Sequence, residues 1–372
     1  MKFLERERAV LEAFTPGLDA ALAAIDFETR ESPGSPIMDL FRDSGATNLV
    51  LPRALGGMGA TALEAVRFQR AIASRSPSLG IATTMHHFKV AMLAELVQGT
   101  PREYLIRDII DRRQLVASCG AEGQGASLFQ PAMTVREVDN GLIMRGSKKP
   151  CCLSRSMGVL SMLVPSPPSS RYEGKLLIVL IAADSPGIGR RAFWKNSALA
   201  GAESEEVVLE EVFVPHEQTV EVGRPGEFLP IFTFIFMWFE LLASGSYLGA
   251  ASGMAERVLA SSRVGSAVKA RLGIELEAAM SALEGVAHGM MAGQMDYDAL
   301  ARALHVRYGV QGAIDRATSM AAEALGGGAF ASSNLVTQLL AGARALAYHP
   351  PSLASMEESL ATALAGGPLV MP

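Results

Sequence analysis

Cysteine is scarce in this chain: Cys119, Cys151 and Cys152 are the only three in 372 residues. That is too few, and too closely placed, for a disulfide framework. No Cys-x-x-Cys and no metal-type His/Cys spacing occurs, so a metal site is not expected. Charge is also thin, at 19% of residues against a usual value of about 25%. Lys and Arg total 33 against 38 Asp and Glu, a net charge of −5. A nucleic-acid binder that neutralises many phosphates is therefore not expected. No apolar run approaches the roughly 18 uninterrupted residues of a spanning helix. The richest, Phe228 to Phe239, is broken by Pro230 and Thr233, so no membrane partner is expected. The first residues, MKFLERERAV, put charge where a signal peptide needs an apolar stretch, and a cytoplasmic location is expected. At 49% hydrophobic residues, the chain is too apolar for disorder and sufficient for a large core. So little charge beside so much apolar material points to surface buried between subunits.

Three textures divide the chain. Residues 1–115 read as helices. Leu11, Phe14, Leu18, Leu22 and Ile25 recur at helical spacing. Thr61 and Glu64 form a capping-box pattern behind the glycine loop Gly56-Gly57-Met58-Gly59. Residues 116–223 read as a small β-barrel or sandwich. Runs at 142–145, 159–164, 175–182 and 206–214 are rich in Val, Ile and Leu, and turn residues separate them. Residues 224–372 read as a bundle of Ala-rich helices at 231–262, 267–293, 296–325 and 332–347. Gly326-Gly327-Gly328 breaks the third from the fourth, and Pro350-Pro351 ends the last. The class is α+β, with a helical N-terminal domain, a middle β-domain and a C-terminal four-helix bundle.

Several short segments carry chemistry in sequence order. Leu51-Pro52 leads into the glycine loop. Ala121 to Leu128 (AEGQGASL) is a run of small residues that lets backbone N–H groups approach an anionic or planar ligand closely. Gly146 to Ser154 (GSKKPCCLS) forms a strand edge, and Phe193 to Pro215 closes the β-region. The helix bearing Glu240 continues through Gly245 and Gly249 towards Arg263. Glu323-Ala-Leu-Gly326-Gly327-Gly328 forms a glycine turn.

Over residues 40 to 350, the order and spacing of these segments resemble the acyl-CoA dehydrogenase flavoprotein family. The resemblance implies FAD, with FMN as the alternative, bound between subunits of a homodimer or homotetramer. It places Ala121, Gly125 and Ser127 on the flavin ring and pyrophosphate, although the usual threonine is Ala121 and the usual aspartate is Leu128. It places Cys151, Cys152 and Ser154 on the strand beside the flavin. Arg263 matches an arginine that reaches the neighbouring subunit's cofactor. Glu323, Gly326 and Gly327 match the turn on the adenosine side, with Glu323 in place of glutamine. His86 and His87 fall on a helix that borders the acyl pocket in the family, and read as structural.

The family's catalytic glutamate is missing from its usual place, which here reads Ala347-Tyr348-His349-Pro350-Pro351. Two residues are candidates for the chemistry. Glu240 ends an apolar run and lies one residue from the site where a minority of the family carries its base. Burial there would raise its pKa. His349 lies in an Ala343-Arg344…His349-Pro350 segment similar to the flavin monooxygenase branch of the fold, and a histidine suits proton transfer near neutrality. The resemblance makes α,β-dehydrogenation of an acyl thioester the first expectation, on CoA or on a carrier protein. The alternatives are a monooxygenase that uses reduced flavin and O₂ on another small molecule, and a scaffold that has lost activity.

Overall fold

A computed structural model describes residues 2–120, 133–224 and 230–371. The N-terminal part contains α1 (Glu5–Phe14), α2 (Leu18–Ala24), α3 (Phe27–Glu31), α4 (Ile37–Asp43), α5 (Ala62–Arg75), α6 (Pro77–Val97) and α7 (Tyr104–Asp111). The capping box forms as the sequence predicts. Thr61 Oγ1 accepts from the Glu64 N–H at 3.2 Å, and Glu64 Oε2 accepts from the Thr61 N–H at 2.8 Å. Ser76 caps α6, with Pro77 in the first turn where its missing N–H costs nothing. That helix is buried almost all round, which is why it shows no amphipathic stripe.

The middle part holds β1 (Val116–Cys119), β2 (Thr134–Val138), β3 (Gly141–Cys151), β4 (Val159–Pro165), β5 (Leu176–Ala182), β6 (Ile188–Arg191), β7 (Glu205–Pro215) and β8 (Thr219–Gly223). They form two four-stranded sheets, ordered β1-β4-β5-β8 and β2-β3-β7-β6. β1 pairs with β4 in parallel, and the remaining pairs are antiparallel. β4 and β5 are buried along nearly their whole length, so they read as continuous apolar runs. β2, β6 and β8 are short and partly exposed, and the apolar runs do not mark them.

The last part contains α8 (Pro230–Ala260), α9 (Ser266–Met291), α10 (Tyr297–Ser332), α11 (Leu335–Arg344) and α12 (Leu353–Leu364). The first four pack on one another as a bundle. The glycine break falls inside α10 as a kink, with Gly326 at φ 78°. α12 was not anticipated. Pro350-Pro351 ends one helical segment, and Ser352 at once caps another by accepting from the Ser355 N–H.

By length and composition α8 could cross a membrane, yet 78% of its apolar window is buried inside the fold. It is the central core helix, and its neighbour α5 lies unusually close. A Cβ at Gly249 would stand 2.5 Å from the Arg70 carbonyl oxygen, and one at Gly253 would stand 2.4 Å from that of Ser74. Two all-round-buried helices, α6 and α8, account for much of the missing charge. The cysteine expectation needs correction: Cys151 is disulfide-bonded, while Cys152 is a free thiol.

His86 and His87 join the helical part to the start of the β-region. His86 Nε2 lies 2.8 Å from the Thr47 carbonyl oxygen, and its Nδ1 accepts the Val116 N–H at 2.9 Å. His87 Nε2 lies 3.1 Å from the Ala46 carbonyl oxygen, and its ring packs between Phe41 and Phe68. Burial pushes the two down from 6.5 to about 4 and about 3, respectively. Both are neutral when folded and titrate at the ordinary value when unfolded. Their contribution is complete above pH 6.5 and is lost progressively as pH falls towards 4 and 3. Replacing His87 by Phe should therefore lower proton uptake on unfolding at pH 5 by about one proton. The slope of urea-unfolding free energy against pH measures this, and an unchanged slope would contradict it.

Candidate functional site

The site lies where the end of β3 meets the bundle. Glu240, Ser244 and Tyr247 recur on α8 at intervals of four and three residues, so they share one face. All three are buried. Glu240 Oε2 stands 2.6 Å from Arg307 Nε on α10, and both side chains are 1% exposed. The contact is close but not aligned as a hydrogen bond, and Glu240 Oε1 has no partner among the described residues. Burial raises the Glu240 carboxyl to about 7, against the opposing pull of Arg307.

Arg307 also holds the turn that carries His349. Its Nη1 donates to the Pro351 carbonyl oxygen at 2.8 Å. Its Nη2 donates to those of His349 at 2.8 Å and Leu346 at 3.1 Å. The adjacent Tyr308 hydroxyl donates to Pro351 O at 3.0 Å. The imidazole of His349 then packs against Tyr247, centroids 5.5 Å apart, and Phe239, 5.9 Å apart. Burial, with Arg307 nearby, pushes His349 down to about 4. At neutral pH it is a neutral imidazole with one donor and one acceptor nitrogen.

Towards the β-region the cluster continues. Phe88 on α6 meets Phe239 edge-on at 5.3 Å, and Lys89 Nζ lies 5.6 Å from the Phe88 ring centroid. Lys89 is buried and pushed down to about 8 by burial and by Lys148 on β3. Tyr247 is raised well above its usual range by burial, and Cys152 is close enough to add to that shift. Cys152 Sγ itself lies 3.1 Å from Ser204 Oγ.

Glu240, His349 and Cys152 are thus brought to one junction, with Tyr247 between the latter two. Ser154 lies next to it, but its hydroxyl is committed to the Glu203 carbonyl oxygen at 2.7 Å. Cys151 is fully buried and disulfide-bonded, and Cys152 is the free thiol among the described residues. Ala121, Gly125 and Ser127 lie outside the described residues. Arg263 does not join the cluster: it is exposed in the turn after α8, some 20 Å or more along the helix from Tyr247 at about 1.5 Å per residue. Glu323 and Gly327 are likewise exposed, and Gly326 stands at the α10 kink. Glu323 borders an open groove between α9 and α10 with Arg271, Glu275 and Arg316.

The sequence reading missed Arg307, Tyr247, Ser244 and Lys89. Arg307 had a legible signal. It falls on the same helical stripe as Leu300, Ala303, Val310 and Ile314, all buried, and an arginine on a core stripe implies a buried partner. Tyr247 and Ser244 gave no such signal, since Tyr and Ser are ordinary in an Ala-rich core helix.

No family model matches the chain. Isobutylamine N-hydroxylase from Streptomyces viridifaciens is 39% identical over 377 residues, covering 99% of this chain and all of that protein. Among solved structures, TdsC from Paenibacillus sp. A11-2, a dibenzothiophene monooxygenase solved with FMN and indole, superposes with a TM-score of 0.83. It has 18% identity, over 99% of this chain and 98% of its own. KijD3 in complex with FMN and a dTDP-linked amino-keto sugar gives the same TM-score at 16% identity, over 97% and 94%. These two share the acyl-CoA dehydrogenase fold that the sequence motifs implied, and the likeness to the N-hydroxylase extends from end to end. The chain belongs to the isobutylamine N-hydroxylase family of flavin-dependent oxidoreductases.

Proposed function

We propose that the protein is a flavin-dependent monooxygenase that N-hydroxylates a small primary amine. The observation that carries this reading is the end-to-end similarity to isobutylamine N-hydroxylase. The overall reaction balances as amine, O₂ and reduced flavin giving hydroxylamine, water and oxidised flavin. Reduced flavin, when bound, supplies the two electrons that activate O₂. The residues at the junction fit such a group. Lys89 is a buried cation with no acidic partner among the described residues, which suits an anionic reduced flavin. Cys152, just past the end of β3, adds a free thiol on the Tyr247 side of the junction. Arg263, Glu323, Gly326 and Gly327 are proposed to meet the flavin of a second copy in a homodimer or homotetramer. FMN is the first flavin to test, with FAD compared.

In this reading His349 would serve the oxygen chemistry that the flavin supplies when bound. Its neutral imidazole can hold one proton and accept another, which suits release of the second oxygen atom as water. Arg307 and Tyr308 fix its backbone, while Tyr247 and Phe239 fix its ring. Acyl-thioester dehydrogenation is less well supported. It needs a carboxylate over a C–H bond, but the usual place holds His349-Pro350, and the N-hydroxylase relative spans the whole chain. A scaffold role leaves the buried, unpartnered oxygens of Ser244 and Tyr247 without a purpose.

Purified protein supplied with a flavin reductase, reduced FMN, O₂ and isobutylamine should form the hydroxylamine, while acyl-CoA thioesters should fail to bleach bound flavin anaerobically. Absence of hydroxylamine from any short alkylamine, or bleaching by acyl-CoA, would overturn the reading. His349→Ala should lower hydroxylamine formation by about 10²-fold and divert O₂ to peroxide; unchanged coupling would remove His349 from the mechanism. Arg307→Met should cost about 3–5 kcal/mol of stability in urea titration, because it leaves Glu240 buried without its partner.

A further inference from the structure

The α8 face that meets His349 carries polar atoms for which the fold provides no partner. Glu240, Ser244 and Tyr247 lie within about 60° of the helix circumference, at about 100° per residue. Each is 2% exposed or less. Glu240 Oε1, Ser244 Oγ and Tyr247 Oη make no hydrogen bond among the described residues. Isolated orphans of this kind are rare, because each costs the desolvation of a polar group. Three on one stripe, beside a histidine and a buried ion pair, mark a place built for a small polar ligand.

The chemistry of the stripe says which ligand. It offers one carboxylate oxygen and two hydroxyl oxygens, all able to accept. The positive charge of Arg307 is already engaged by Glu240 Oε2 and three carbonyl oxygens. A group with several N–H donors is complementary, and an anion is not. Phe239, Tyr247 and the uncharged imidazole of His349 pack together beside the stripe, an apolar and aromatic neighbourhood that suits a short alkyl chain better than a charged one.

We propose that Glu240, Ser244 and Tyr247 form the subsite for the substrate's amino group, and that Glu240 is the base that takes its ammonium proton. This rests on the N-hydroxylase reading above. The step is a proton transfer: an N–H bond of the ammonium breaks, its electron pair stays on nitrogen, and an O–H bond forms on Glu240 Oε1. The product is the free amine, the only form with a lone pair to attack oxygen. The other titratable groups around Glu240 are Arg307 and Tyr308 on α10, with His349 on the turn after α11 and Tyr247 on α8 itself both within reach of Arg307, and Cys152, just past the end of β3, behind Tyr247. His349 is neutral, and the tyrosines are raised, so among these only Glu240 is both anionic near neutrality and able to accept. The two proton affinities also converge. Lys89, an alkylammonium in the same interior, is pushed from 10.5 to about 8 by burial and Lys148, while Glu240 is raised to about 7.

The test uses FMN-loaded protein and isobutylamine as the probe, followed by calorimetric binding and by the pH profile of hydroxylamine formation. Wild-type kcat/KM should rise with pH through an apparent pKa near 7. Glu240→Gln should lower it at pH 7.5 by about 10²-fold, with activity recovering only as pH approaches the amine's own pKa. Tyr247→Phe should weaken isobutylamine binding by about tenfold without changing flavin content or the pH profile, and it remains informative if Glu240→Gln does not fold. Unchanged isobutylamine affinity in Tyr247→Phe, no detectable binding by the wild type, or a Glu240→Gln profile like the wild type would overturn the proposal. Hydroxylamine formation by the wild type together with any of these would leave the N-hydroxylase reading standing and remove only the subsite. Binding that obeys the proposal without hydroxylamine formation would do the reverse.

Discussion

The guanidinium of Arg307 is the contact on which the functional region depends. It sits in a low-dielectric interior where an unpaired charge costs several kcal/mol. Glu240 balances that charge, and three carbonyl oxygens of the turn at 346–351 share its N–H groups. One side chain on α10 therefore ties α8 to the turn that carries His349. Such a pair is weak evidence for stability by itself, since an apolar substitute of equal volume can be as stable. Its effect here is geometric: the turn can take one position, and the imidazole it carries has one orientation against Tyr247 and Phe239.

Burial then sets the protonation states around this centre. The carboxyl of Glu240 is lifted to about 7 and the ammonium of Lys89 is lowered to about 8, so these two move towards the range where protons exchange in neutral water, while the imidazole of His349 is lowered to about 4 and stays uncharged there. Such convergence within one junction is typical of reactive sites. It also relates the two elements that composition made puzzling. Helices α6 and α8 are apolar almost all round because both are core helices, and Lys89 on the one and Glu240, Ser244 and Tyr247 on the other are brought to this junction.

Much of the fold was legible in the sequence because its signals are local. The capping box at Thr61, the apolar runs of β4 and β5, and the glycine break near 326 each follow from residue type and spacing. What escaped was set by tertiary contact. β2, β6 and β8 are short edge elements whose pairing comes from β3, β7 and β5. α12 follows a proline pair that reads as a terminus, and only Ser352 signals its start. At the site, Glu240 and His349 stood out because a carboxylate beside an apolar run and a histidine before two prolines are locally odd. Their actual partners were invisible, since Arg307 is 67 positions from Glu240 and nothing in either neighbourhood names the other. The disulfide at Cys151 escaped for the same reason, because counting cysteines weighs numbers and not proximity.

The close seat of α8 on α5 has a bearing on how this protein can diversify. With Gly249 and Gly253 against the carbonyl oxygens of Arg70 and Ser74, the helix has no room to slide or roll on that side without added bulk being rejected. The opposite face, which bears Glu240, Ser244 and Tyr247, is therefore presented at a fixed height and angle, like a ruler clamped along one edge. New substrates would be accommodated by changing which side chains stand on the free edge, or by reshaping the turn opposite it, while the backbone frame stays where the glycines set it.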